Sequence, residues 1–335
     1  MVATDRGPFT RHSVLISGGV LAFGRAGIDG ERQAVGMRFG LFGTGPWAHQ
    51  AHAPGLAAHD GVEFVGVWGR DESKATALAA EFGTKAYGDA DALIADVDAV
   101  AVALPPAVQA PLALRAAQAG KHLLLDKPVA MDPAQADEIA ATVQAGGLAS
   151  VVFFTRRFMP ELARFIDDAA QTGGWVEARV DHVGTIYDEG NPFGASPWRR
   201  ESGGLWDVGP HALALVLPVL GAVHEVSAMV APKDMTHLML RHTSGAISKI
   251  TLSVDVPPAA AREEALFAGE AGIRVVPEIG WEPITAYGHA LDELITAADG
   301  GARPELDVAF GAGVTTVLAA AEEAARTGRT VRVSS

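Results

Sequence analysis

The chain has no cysteine. That excludes disulfides, thiolate nucleophiles and cysteine-bound zinc, fits a cytoplasmic location, and leaves no metal site to expect from the sequence. Positive charge is scarce: 26 Lys and Arg stand against 40 Asp and Glu, a net charge of −14. A nucleic-acid partner, which needs Lys/Arg patches to neutralise phosphates, is disfavoured, and so is an anionic membrane surface. No apolar run approaches the about 20 residues of a membrane span, and there is no internal repeat. What is present is ordinary for a globular protein: 49% hydrophobic and 20% charged residues in 335, enough for two cores and two domains.

The stretch that organises the rest is Met37-Arg-Phe-Gly-Leu-Phe-Gly43-Thr-Gly45-Pro46-Trp47-Ala48. A short apolar run reads as a buried strand, two glycines follow, and an Ala-rich helical stretch runs to Ala58. Strand, glycine turn and helix give G-x-G-x-x-A its meaning. Gly43 permits the tight turn, Gly45 lets the backbone approach a pyrophosphate, and Ala48 is small enough for close helix–strand packing. The helix N-terminus, with Pro46 and Trp47, offers N–H groups to phosphate. Residues 1–36 lack this order and read as a disordered extension, with a targeting segment as the alternative.

From Met37 a strand–helix alternation follows: strands at Val62–Trp68, Lys85–Tyr87, Asp98–Leu104, His122–Leu125 and Ala149–Phe154, with helices between them. This predicts a Rossmann-type, doubly wound parallel sheet over 37–155, binding its ligand beyond the carboxyl ends of the strands. From residue 156 the rhythm changes. One helix (Pro160–Ala170) precedes strand-like stretches at Trp175–Val183, Val223–Val230, Thr236–Arg241, Ala246–Val256, Glu264–Ala268 and Ile273–Val276, and two helices close the chain. Turns rather than helices join most of these strands. The second half, 156–335, therefore reads as an α+β domain with an open, mostly antiparallel sheet for substrate binding and oligomerisation. An open sheet leaves an apolar face exposed, so a homodimer or homotetramer is expected.

Three further stretches carry chemistry. Gly69-Arg70 ends the second strand, where NAD sites tend to place an acid for the ribose 2′-OH; an arginine there suits a 2′-phosphate instead, unless it is a plain turn residue. The expectation is NADP, with NAD open. Asp126-Lys127-Pro128 follows the fifth strand, so Lys127 stands at the ligand edge of the sheet. Ser202-Gly-Gly-Leu-Trp-Asp207-Val-Gly-Pro-His211 reads as a helix start, with Asp207 as N-cap and His211 one turn in on the same face. Spacing alone fits a capped helix with a core histidine equally well. Arg156, Arg157, Trp198, Arg199 and Arg200 stand where they would wall a substrate pocket or make salt bridges; His182 and Tyr187 are placed to line it, and His49 and His52 to pack or face solvent.

Together these motifs resemble the Gfo/Idh/MocA oxidoreductases. Ala119-Gly-Lys-His-Leu-Leu-Leu-Asp126-Lys127-Pro128 is similar to that family's A-G-K-H-V-x-x-E-K-P, and Gly203-Gly-Leu-Trp-Asp207-Val-Gly-Pro-His211 to its G-G-x-x-x-D-x-G-x-H. The resemblance spans both halves from Met37. It implies hydride transfer at nicotinamide C4 to or from a small polyol or sugar, with Lys127, Asp207 and His211 as the catalytic group and Asp207 supporting the imidazole. It also implies Leu104, Pro105, Gln109 and Asp126 beside the cofactor, and Arg156, Trp198 and Arg199 beside the substrate. The chain departs from the pattern in three places. Asp126 replaces a Glu, Leu104-Pro105-Pro106-Ala-Val-Gln109 replaces T-P-N-x-x-H, and Ala214 stands where inositol dehydrogenases often have an acid. A cofactor-binding regulator without turnover, or an enzyme using tightly held NAD for redox-assisted elimination, are the competing readings.

Overall fold

The computed structural model describes residues 36–280 and 282–333; the extension expected at 1–36 lies outside these but for Gly36. The first sheet is built from β1 (Met37–Phe42), β2 (Val62–Trp68), β3 (Lys85–Tyr87), β4 (Ala99–Val102), β5 (His122–Asp126) and β6 (Ser150–Phe153). Its strands are parallel and run in the order β3-β2-β1-β4-β5-β6. The central ones are apolar on both faces, as a sheet covered by helices on each side demands: all four residues of β4 are buried. The strand order reverses between β1 and β4, which opens a crevice at their carboxyl ends.

The helices between these strands are α1 (Ala53–Ala58), α2 (Glu72–Glu81), α3 (Ala90–Ala95), α4 (Pro106–Gln118) and α5 (Pro133–Ala145). Aspartates cap three of them, with Asp71, Asp89 and Asp132 accepting from backbone N–H groups of the first turn. A π-helical stretch, Ala48–His52, leads into α1, and the Ala53 N–H bonds the Ala48 carbonyl. Pro54 has no N–H to give the carbonyl of Gln50, and widening the turn accommodates that loss.

The second sheet comprises β7 (Trp175–Val183), β8 (Val223–Ala231), β9 (Met235–His242), β10 (Ile247–Ser253), β11 (Arg262–Gly269), β12 (Gly272–Val275) and β13 (Val331–Arg332), in the order β12-β11-β7-β10-β9-β8-β13. It is antiparallel except between β7 and β10, which are parallel. Turn-joined strands suggested an antiparallel sheet; a parallel pair needs a long crossover, and the connection between β7 and β10 supplies one. It contains α7 (Pro197–Asp207), α8 (Gly209–Leu220) and the β8–β9 hairpin.

One face of this sheet packs on helices; along β9, Thr236, Leu238, Leu240 and His242 are buried and the residues between them are not. Among the exposed apolar side chains of these strands are Val176, Met229, Met239 and Ile273. The remaining helices are α6 (Pro160–Thr172), α9 (Pro283–Ala298) and α10 (Val308–Thr327). The last two return to the first sheet: Val152 N–H bonds the Leu306 carbonyl at 2.7 Å, and Val308 N–H bonds Ser150 Oγ at 3.2 Å. By length and composition alone, 197–220 and 308–327 would pass for membrane spans, contrary to the impression of the bare sequence; half or more of each window is buried inside the fold.

Candidate active site

Gly43 leaves β1 at φ +129°, and a Cβ there would stand 2.3 Å from the Ala103 carbonyl oxygen at the end of β4. Only glycine makes that turn. A Cβ on Gly45 would meet nothing within 4 Å, so the backbone there borders open space. Ala48 is fully buried beneath the turn. A bare backbone beside the first turn of a helix, at the switch point of the sheet, is the chemistry a pyrophosphate requires. Leu104 and Pro105 lead from β4 into α4 on the opposite lip. Trp47 stacks on Phe153 at 6.2 Å and 24° between ring planes, with Phe193 edge-on at 6.2 Å, and Pro46 is exposed.

On the β2 side Gly69 is buried and Arg70 exposed. The Asp71 carboxylate accepts from the Ser73 and Lys74 N–H groups and the Ser73 hydroxyl, which hold it below the ordinary carboxylate range. It serves the helix, leaving Arg70 to face solvent at the strand end.

Lys127 follows β5, and its Nζ donates to the Asp207 carbonyl at 2.6 Å and to Asp207 Oδ1 at 3.1 Å. Arg199 Nε donates to Asp207 Oδ2 at 3.0 Å. Asp207 is therefore not an N-cap. It is the last residue of α7, and α8 begins without a side-chain cap at Gly209. Two glycines fix this arrangement. Gly203 has φ 62° and kinks α7, and a Cβ on Gly204 would stand 2.7 Å from Ser253 Cα of β10. The helix end thus lies directly on the sheet, and its final carboxylate is presented to Lys127. Burial alone would raise the Asp207 pKa, but Lys127 and Arg199 override it and hold the carboxyl below its usual range. Asp207 was expected to support His211; instead its carboxylate is held by Lys127 and Arg199.

Gln109 is also corrected. It is fully buried, and its amide is turned to the chain's own backbone. Its amide oxygen accepts from the Asp126 N–H at 2.9 Å, and its amide nitrogen points at the carbonyls of Asp126, Pro128 and Val129 at 2.7, 3.0 and 3.2 Å. It clamps the turn that carries Lys127. Asp126 accepts from the Lys127 N–H at 2.7 Å through Oδ1, while Oδ2 lies 3.8 Å from His52 Nε2. His52 is buried among Trp47, Phe153 and Tyr287.

His211 sits in the first turn of α8, with its ring 5.7 Å from that of His182 on β7. Burial, then the charge of Lys127, then His182 and Arg156 push its pKa well below that of a free imidazole. Burial, with help from Arg156 and Lys127, takes His182 down to about 3. Both rings are therefore neutral at pH 7. The bonds from Lys127 to Asp207, directly before α8, show that the β5 edge and the start of α8 converge. His211, His182, Arg156, Glu263, Phe154 and Leu215 line a cavity of 1080 Å³. Arg156 pairs with Glu263, while Arg199 lies over the rings of Trp198 at 4.8 Å and Phe193 at 5.2 Å. His182 lines the cavity, as its place in the sequence suggested; its stacking on His211 was not legible there, because it arises from α8 packing on β7.

These depressed histidines have a consequence for stability. Between pH 6.5 and about 3 the unfolded chain takes up a proton on His182 that the folded chain refuses, and His211, His122 and His242 shift in the same direction. The unfolded state binds more protons, so stability falls with falling pH, for His182 by about 1.4 kcal/mol per pH unit between its two pKa values. The thermal midpoint is expected to drop from pH 7 to pH 5, and less steeply in His182→Asn. A midpoint that is flat or rises toward acid would contradict the buried, neutral pair.

Residues 37–154 match the family described as "Oxidoreductase family, NAD-binding Rossmann fold", and residues 178–274 match the "GFO/IDH/MocA C-terminal domain". Among curated relatives, 4-carboxy-2-hydroxymuconate-6-semialdehyde dehydrogenase of Sphingobium is 30% identical over 230 residues, 65% of this chain and 72% of that protein. The chain belongs to the Gfo/Idh/MocA oxidoreductase family. Other matches vary in extent. An uncharacterized oxidoreductase of Rhizobium meliloti is 39% identical, but the match covers only 30% of its length and 29% of this chain. D-xylose 1-dehydrogenase (NADP(+)) 2 of Haloferax volcanii is 29% identical, covering 89% of this chain and all of that one. The structure of GenD2 from gentamicin A biosynthesis, in complex with NAD, superposes with a TM-score of 0.78 at 23% identity, over 92% of this chain and 99% of that one, a likeness of fold.

Proposed function

We propose that the protein is an NAD(P)-dependent dehydrogenase or reductase that moves hydride between nicotinamide and a secondary alcohol or carbonyl of a sugar, cyclitol or dihydrodiol-like substrate. When bound, the nicotinamide supplies the hydride acceptor or donor. The observation that carries the reading is that Lys127, at the carboxyl edge of the first sheet, reaches Asp207 at the end of α7, just before the helix that brings His211 to the cavity. Lys127 Nζ has three N–H groups, and Asp207 engages two of them. The third is available to a substrate oxygen, where it stabilises developing alkoxide. His211, kept neutral by its surroundings, is ready to take the hydroxyl proton during oxidation and to return it during reduction. Asp207 orients Lys127, and Gln109 holds the turn beneath it.

Binding of the cofactor is assigned to Gly43, Gly45, Pro46, Trp47, Ala48, Gly69, Arg70, Leu104, Pro105, Asp126 and Lys127, and substrate contact to Arg156, Trp198 and Arg199. NADP is the preferred cofactor in this reading, because Arg70 stands at the end of β2 and the nearest acid, Asp71, is engaged by its own helix. The exposed apolar residues of the second sheet support a homodimer or homotetramer. The test is absorbance at the reduced-nicotinamide band, with NADP and NAD separately, against sugars, inositols and dihydrodiols. Turnover of at least one polyol, faster with NADP, is expected. No turnover with either cofactor, alongside normal cofactor binding, would favour the regulator.

A further inference from the structure

The charges around the cavity allow its substrate to be narrowed, on the premise that the cavity is the substrate site of the reaction just proposed. Its lining contains Arg156, Arg157, Arg179 and Lys249, but each faces a carboxylate of the chain itself. Arg156 pairs with Glu263 and feels Glu278 as well. Arg157 gives only Nη2 to Glu305, its Nε and Nη1 being buried without a hydrogen-bond partner among the described residues, and Arg179 and Lys249 share Glu177. Besides Glu263 and Glu278, the acids Asp181 and Glu264 belong to the same lining. Outside this lining, Lys127 and Arg199 share Asp207.

A nucleoside-diphosphate sugar or a sugar acid would have to break these pairs and then face the released carboxylates, and like charges brought together in a partly desolvated site are costly. A neutral polyol needs only hydrogen-bond donors and acceptors, which the paired groups retain. We infer that the cavity takes an uncharged, unphosphorylated polyol, a free sugar or cyclitol, and that Glu263, by covering Arg156 beside His211, sets this preference.

The test is calorimetric titration of the protein, preloaded with reduced cofactor, using D-xylose, myo-inositol and D-glucuronate, for the wild type and for Glu263→Gln, Glu278→Gln and the double variant. Binding is read directly, so the outcome does not depend on turnover. The wild type is expected to bind a neutral compound at least about tenfold more tightly than glucuronate, and the ratio is expected to shift toward glucuronate by about tenfold in Glu263→Gln and further in the double variant. Glu278→Gln alone, in the segment after β12, provides the smaller shift on an intact Arg156–Glu263 pair. Glucuronate bound as tightly as the best neutral compound, or no change of ratio in the variants, overturns the inference. Preferential neutral binding without turnover of any polyol upholds it and removes the redox reading instead.

Discussion

Replacing Lys127 by methionine is expected to lower kcat by about a thousandfold while the affinity for reduced cofactor changes by no more than about threefold. Methionine keeps the apolar stem and removes the ammonium. Nothing then donates to the Asp207 carbonyl and Oδ1, and the donor proposed to meet the alkoxide is gone. Arg199 still pairs with Asp207, so that carboxylate is not left alone. His211 also loses one of the positive charges that depress its pKa, so whatever activity remains should decline at a higher pH than in the wild type. Stopped-flow turnover and fluorescence titration of the cofactor separate the two effects. A kcat within tenfold of wild type would remove Lys127 from the reaction.

Gln109→Leu is expected to be the most damaging change away from the reacting groups. Leucine fills a similar volume but leaves the Asp126 N–H without an acceptor and the carbonyls of Asp126, Pro128 and Val129 without this donor, all beside a fully buried position. A buried polar group without a partner costs about 1–3 kcal/mol, so a loss of about 3 kcal/mol in unfolding free energy is expected for the group. Lys127 rides on the clamped turn, and a misplacement of about 1 Å costs up to about a hundredfold in rate. The expected kinetic signature is a fall in kcat larger than the rise in KM, partly restored by Gln109→His, which keeps one donor and one acceptor. Denaturant unfolding unchanged from wild type would show that the clamp carries no load.

The departures between sequence and structure share one cause. The first sheet was legible because its signals are local: apolar runs of strand length, aspartates at helix starts, and glycines where backbone meets backbone, as at Gly43 against Ala103. β2, β3 and β7 fall on the residues that their composition marked. Lys127 was legible for the same reason, since it directly follows a recognisable strand. The partners of Asp207 were not. Its spacing to His211 suggested a local pair, whereas its carboxylate is taken by Lys127, eighty positions earlier in the chain, and by Arg199. Gln109 was expected beside the cofactor from the family resemblance alone; only the packing of α4 on the turn after β5 shows its amide facing inward. The parallel pairing of β7 with β10 depends on register between distant strands, and the stacking of His182 on His211 on the packing of α8 against β7, neither of which periodicity encodes.

The most direct test of the account is a crystal structure of the protein with reduced cofactor and a bound neutral polyol. The account predicts the pyrophosphate over Gly43 and Gly45, and nicotinamide C4 facing a polyol carbon whose hydroxyl contacts both Lys127 Nζ and His211. A nicotinamide ring lying away from Lys127, or a polyol held where neither Lys127 nor His211 reaches its oxygen, would contradict it.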